Sequence, residues 1–189
     1  MTNIPLKCNC GQVEGLIENV TPSLGNRLNC YCDDCQTFAR HLGEDKSILD
    51  EYGGTDIVQL PISSIKITQG LEHLQCLRLT PKGLYRWYTG CCKTPIGNTV
   101  SSRVPFIGLI HNFVDMTKGI EALFGPVYGA VQTKSAKPGF VKSDTYHSEL
   151  RTTLRFLFKI MVWKMKGLTK PNVFFQDNGH TIIKTHILE

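Results

Sequence analysis

No stretch of this 189-residue chain approaches the roughly 18–20 consecutive apolar residues of a membrane span, which excludes a helical membrane protein. Charge is ordinary for a globular chain, at 20% of residues, and the net +5 falls short of the dense basic footprint of a nucleic-acid binder. It still suits a small anionic ligand such as a carboxylate-bearing thiol. The sequence has no internal repeat and no low-complexity tract, so neither a solenoid nor a disordered segment is expected. The start, Met1 to Lys7, lacks a charged segment followed by an apolar core. No signal peptide is therefore expected, and the expected compartment is the cytoplasm, where thiols stay reduced.

Cysteine is what the chain does have. There are eight, and seven fall in three tight groups: Cys8 and Cys10; Cys30, Cys32 and Cys35; Cys91 and Cys92. Thiolates one or two residues apart converge on one small ion more readily than they form disulfides, and zinc is the expected cofactor, one or two per chain. In Cys30-x-Cys32-x-x-Cys35, a loop curling into a helix start can aim three sulfurs at one point, while helix N–H groups lower the thiol pKa values. Three protein ligands leave a fourth position free, as in catalytic sites. Cys8 and Cys10, joined by Cys91 and Cys92, would close a structural site. Cys92 is the first choice and Cys91 the second, because adjacent cysteines ligate one ion only with strain. Cys76, alone in Leu74-Gln75-Cys76-Leu77, reads as a small buried hydrophobe.

The first 100 residues read as mainly β. Strands are expected at Val13–Val20, Leu28–Cys32, Asp56–Leu60, Ile65–Gln69, Leu74–Thr80 and Leu84–Thr89, the last two flanking Pro81-Lys82-Gly83 as a hairpin. A short helix is expected over Gln36–Leu42. Frequent turns between short strands point to antiparallel sheets. The second half, 101–189, reads as a C-terminal elaboration on a core of residues 1–100. Phe106–Phe113 is apolar, and Gly125–Gly139 reads as a loop. An amphipathic helix is expected over 147–166, capped by Asp144 or Thr145 and ended by Gly167. Its Leu150, Leu154, Leu157, Met161 and Met165 fall on one stripe. Arg151, Arg155, Lys159 and Lys166 fall on another, which is expected to face water. Val173–Phe175 and Thr181–Ile183 flank Asp177-Asn178-Gly179 as a terminal hairpin. The fold class is thus mainly β with an added helix, α+β.

The order of motifs resembles the glutathione-dependent formaldehyde-activating enzymes and their relative, centromere protein V. The carriers are Cys8-Asn9-Cys10-Gly11-Gln12-Val13, Cys30-Tyr31-Cys32-Asp33-Asp34-Cys35 and Arg86-Trp87-Tyr88-Thr89-Gly90-Cys91-Cys92-Lys93-Thr94-Pro95, within residues 6–98. The resemblance implies a zinc-containing β-tent. It assigns the catalytic zinc to Cys30, Cys32 and Cys35, and the structural zinc to Cys8, Cys10 and the third group. It also implies addition of glutathione to formaldehyde, a carbon–sulfur lyase reaction. The third motif departs from the family's Cys-x-x-Cys-Gly: Thr89 stands at the first cysteine and Lys93 at the glycine. Residues 101–189 have no assigned counterpart.

Thiol chemistry also follows from the residues themselves. A divalent ion with three thiolates is a weak acidifier of water but can hold an incoming thiol as thiolate, ready to attack an aldehyde carbon. Tyr31, Arg40 and His41 are neighbours in sequence that can protonate the oxygen, although most such residues serve the surface or the core. The alternatives are a non-enzymatic zinc-stabilised module and an interaction protein of the centromere protein V type that uses the basic helix stripe.

Overall fold

Alternation along the strands decides the layering, because successive side chains point to opposite faces. In the computed structural model, which describes residues 2–21, 23–115, 117 and 119–188, eleven strands form two sheets. Strands β1 (Thr2–Lys7), β2 (Glu14–Val20) and β5 (Ile65–Gln69) make a small antiparallel sheet in the order β1-β2-β5. The large sheet holds β3 (Asn26–Cys30), β4 (Thr55–Leu60), β6 (Leu74–Arg78), β7 (Tyr85–Thr89), β8 (Pro95–Thr99), β9 (Ile107–Ile110), β10 (Gly129–Val131) and β11 (Thr185–Ile187). Its order is β10-β3-β4-β9-β8-β7-β6-β11.

Cys76, Trp87 and Leu109 of the large sheet point to one face and share a buried cluster with Ile4, Leu6 and Ile17 of the small sheet. Their chain neighbours Leu77, Tyr88 and Ile110 point to the other face. There they meet Phe38, Ala39 and Leu42 of helix α1 (Asp33–Leu42). Cys76 is fully buried in the first cluster, as its apolar setting predicts. Two short helices, α2 (Asp45–Ile48) and α3 (Ile120–Phe124), carry no clear sequence signal. The long helix α4 spans Glu149–Met165.

The expectation of antiparallel pairing holds through the middle of the large sheet and fails at both edges. β10 runs parallel to β3 and β11 runs parallel to β6. Both are three-residue strands from the second half of the chain, which reaches the sheet edges by long connections that can arrive in either direction. The expected Gly125–Gly139 loop therefore contains β10. The turn at Asp177–Gly179 does form, with Phe175 bridging Thr181.

Helix α4 seats on the protein through neither of its two stripes. Ser148, not Asp144 or Thr145, caps it, its side chain accepting from the Arg151 N–H. The face seated on the protein carries Thr152 and Trp163, which are buried, and Phe156, which stacks on Phe106. The basic stripe stays at the surface as expected, with Arg151, Arg155 and Lys166 exposed and Lys159 half-buried, and two of its residues also reach back to the protein. Arg155 donates to Asn26 Oδ1 at 3.2 Å and lies over the Tyr128 ring; Lys159 donates to the Ser23 carbonyl at 2.6 Å. Long cationic side chains can cover a protein surface with their stems and aromatic contacts while staying at the surface. The apolar stripe faces solvent too: Leu150, Leu154, Leu157, Met161 and Met165 are 50–72% exposed. Among the described residues, no helix is long and apolar enough to cross a membrane.

Candidate metal centres

The first group sits where the N-terminal strand meets the β7–β8 turn. After β1 the chain folds tightly, with Gly11 at φ +76° and the Val13 N–H donating to Cys8 Sγ at 3.2 Å. The β7–β8 turn brings Cys91 and Cys92 to the same place. The Asn9 N–H donates to Thr94 Oγ1 at 2.9 Å and ties the two arms together. Sulfur separations are 3.6 Å for Cys8–Cys10, 3.4 Å for Cys10–Cys91, 4.0 Å for Cys8–Cys91 and 3.8 Å for Cys91–Cys92. A tetrahedral thiolate centre with bonds of about 2.3 Å has sulfurs about 3.8 Å apart. These four cysteines therefore fit one metal ion, with all their sulfurs within 4.8 Å of one another. Cys91 and Cys92 both lie in the group with Cys8 and Cys10.

The turn accommodates two adjacent ligands through its backbone. Lys93 adopts φ +59°, a conformation that favours glycine. The hydroxyls of Thr89 and Thr94 lie 3.3 Å and 3.1 Å from Cys92 Sγ. Burial pushes the Cys92 thiol up, but these hydroxyls and the N–H groups of Cys10 and Thr94 outweigh it and hold the thiol at about 5.

The second group lies on the α1 face of the large sheet. Cys30 ends β3, Cys32 is the N-cap of α1, and Cys35 lies in its first turn. Cys32 Sγ accepts from the Cys35 N–H at 3.4 Å, so a sulfur takes the capping place normally filled by an oxygen. Cys30 Sγ lies 3.4 Å from Cys32 Sγ and 3.8 Å from Cys35 Sγ, and these three cysteines also fit one metal ion. Hydrogen bonds from the Cys30 and Cys35 thiols, against the cost of burial, drive the Cys32 thiol down to about 2, while Cys30 is pushed up. Cys76, by contrast, is raised to about 11 by burial alone as its leading cause, as befits an inert core thiol.

Arg86 is the residue that sequence reading passed over as a functional group. It is 1% exposed on β7 and donates from Nη1 to Asn98 Oδ1 at 3.3 Å and toward Cys35 Sγ at 3.9 Å. Nη2 reaches Asp34 Oδ2 at 3.2 Å, and Nε has no partner. Asp34 is 55% exposed, so it compensates this buried cation weakly. A divalent ion with three thiolates has a net charge of about −1 and would complete the compensation. The signal was in the alternation: Arg86 shares its strand face with Tyr88, which packs near Phe38 of α1.

The three candidates chosen by sequence proximity are engaged elsewhere. Tyr31 is buried and donates its hydroxyl to Asp50 Oδ2 at 2.9 Å; burial and this carboxylate raise its pKa. Arg40 donates to Gln36 Oε1 at 2.9 Å, and His41 is exposed on the last turn of α1, whereas the thiols gather at its first.

No curated protein matches the sequence. A crystal structure of a Rhodobacter sphaeroides protein is similar, with a TM-score of 0.42 and 18% identity, over 59% of this chain and 88% of that one. Residues 1–182 match a family described as being of unknown function, and the chain belongs to that family, DUF6151.

Proposed function

We infer that this chain is a zinc-dependent enzyme that adds a small thiol such as glutathione to formaldehyde or a related carbonyl, the chemistry of a carbon–sulfur lyase. The observation that carries this reading is the pairing of a four-cysteine group with a three-cysteine group. Four thiolates close a tetrahedron, whereas three leave one position for a visiting ligand. The motif resemblance supports the same assignment, and an all-thiolate tetrahedral donor set favours zinc.

Zinc held by Cys30, Cys32 and Cys35 would keep a visiting thiol in its nucleophilic thiolate form. The remaining work falls to the chain. The Cys35 N–H and the α1 start stabilise negative charge on Cys32. Asp34, exposed and held by Arg86, would take the proton that the thiol sheds. Attack of the sulfur on the carbonyl carbon forms one S–C bond and turns the C=O π pair into an alkoxide. Asp34 returns its proton to that oxygen, so the reaction is a net addition with no oxidant. Tyr31 has no part in it, since its hydroxyl is committed to Asp50.

Metal analysis should give two zinc ions per chain, and the protein incubated with glutathione and formaldehyde should form S-hydroxymethylglutathione faster than buffer does. Cys35→Ser should abolish that rate while the circular dichroism spectrum at low temperature stays that of the folded chain. Two zinc ions with no rate enhancement would leave the rival reading, a zinc-stabilised binding module. A metal-free, well-folded protein would reject both.

A further inference from the structure

Leu150, Leu154, Leu157, Phe158, Met161 and Met165 form one stripe along α4, each 50–72% exposed. At 100° per residue they span about 100° of the helix, opposite the face that seats Thr152 and Trp163. Single exposed apolar residues are ordinary, but a contiguous patch marks a contact surface. The six side chains expose on the order of 700 Å², so pairing two copies offers up to about 1,400 Å² for burial, enough to reach the roughly 1,200 Å² lower end of a stable interface.

The spacing of the stripe names the occupant. The intervals between the six residues are 4, 3, 1, 3 and 4, which read the same in both directions about the midpoint of Leu157 and Phe158. A two-fold interface requires a self-complementary patch. We propose that α4 is a homodimerisation helix that packs antiparallel against a second copy of itself, with the two-fold axis at Leu157 and Phe158. Leu150 is then level with Met165 of the partner subunit and Leu154 with Met161 of the partner subunit, while Leu157 and Phe158, on opposite flanks, pack against Leu157 of the partner subunit and Phe158 of the partner subunit. The seam contains no charge. Arg151 and Lys164 lie on opposite flanks, and the two-fold sets each flank against its own copy, so these cations do not face each other. The one acid of the helix, Glu149, already accepts from the Gln132 N–H at 2.8 Å.

Sedimentation equilibrium of the full chain should give twice its 21.2 kDa mass. The double variant Leu154→Asp, Met161→Asp should sediment as a monomer, its dimer weakened at least 100-fold, with unchanged circular dichroism, since both side chains are at least half exposed. Should that variant fold poorly, benzoylphenylalanine in place of Leu150 tests the register: it should cross-link to the partner's peptide bearing Met165. A cross-link to the peptide bearing Leu150 overturns the antiparallel arrangement. A wild-type monomer at high micromolar concentration overturns the dimer. If that monomer instead binds vesicles of phosphatidylcholine with phosphatidylglycerol, the stripe is a lipid-contact face and the dimer is again overturned. A dimer that survives in the double variant places the interface elsewhere.

Discussion

The guanidinium of Arg86 is buried and lies 3.9 Å from the sulfur of Cys35. A visiting thiolate would bring the total charge of that group and its divalent ion to about −2. Arg86 offsets part of it. Its removal should therefore weaken an anionic fourth ligand and spare a neutral one. In the cobalt-loaded protein, Arg86→Met should weaken 2-mercaptoethanol binding on the order of tenfold, read from the sulfur-to-cobalt charge-transfer band, and leave imidazole binding nearly unchanged. Arg86→Lys keeps the charge and should recover much of the thiol affinity. Equal losses for thiol and imidazole would mean that Arg86 serves only the fold.

Cys10 and Cys76 separate ligand thiols from core thiols. Cys10 is exposed, so Cys10→Ser removes almost no packing. Its cost should come from the lost metal, with one equivalent missing by elemental analysis and a fall in melting temperature of several degrees. Cys76 is fully buried between strands. Cys76→Ser places a hydroxyl in an apolar cluster and should cost about 1–3 kcal/mol with metal content unchanged. A Cys10→Ser protein that keeps its full metal content would show that the four-cysteine group is not one site.

Much of the site was legible because cysteine spacing reports ligand geometry directly. Cys30, Cys32 and Cys35 meet where a loop enters a helix, as their spacing requires. What escaped the sequence depended on contacts between distant segments. Arg86 acts on Cys35 from fifty-one positions away, across strand and helix, and local pattern cannot register that pairing. The β3, β5 and β6 strands were visible from alternation and turn residues. β10 and β11 were not, because three residues at a sheet edge carry too little pattern. In α4 the two stripes are legible, but the seated face is a third one, Thr152, Phe156 and Trp163, which has no apolar or basic periodicity of its own and is fixed by contacts such as Phe156 with Phe106, fifty positions away.

Trp87 couples the C-terminal segment to the two-sheet core. It is fully buried, donates from Nε1 to Thr99 Oγ1 at 2.9 Å, and packs on Phe174 and Phe175 at ring distances of 4.8 Å and 5.8 Å. Trp87→Ala should cost about 3–5 kcal/mol in urea unfolding. Because Phe174 loses its main aromatic neighbour, Phe174→Ala added to it should cost less than it does alone. Strict additivity would show that the 173–175 segment is held by something else. Faster amide exchange at the Ile182 N–H, which donates to the Phe174 carbonyl, should accompany the single change.

Gly129 is where α4 closes on the sheet. It pairs with Leu28 in β10, and a Cβ there would collide with Thr152 Oγ1 on the seated face of the helix. Thr152 is fully buried and donates to the Ser148 carbonyl, so its side chain has no empty direction to move into. Gly129→Ala should therefore push α4 outward and cost about 1–3 kcal/mol. Thr152→Ala removes the obstructing hydroxyl at the cost of one hydrogen bond, about 1 kcal/mol. The double variant should be more stable than the sum of the two losses predicts, because the new methyl fills the space that the hydroxyl leaves. Urea unfolding of the four proteins measures the coupling directly. A coupling near zero would mean that the helix and β10 do not meet at these two residues, and that the seating of α4 depends instead on Trp163 and Phe156.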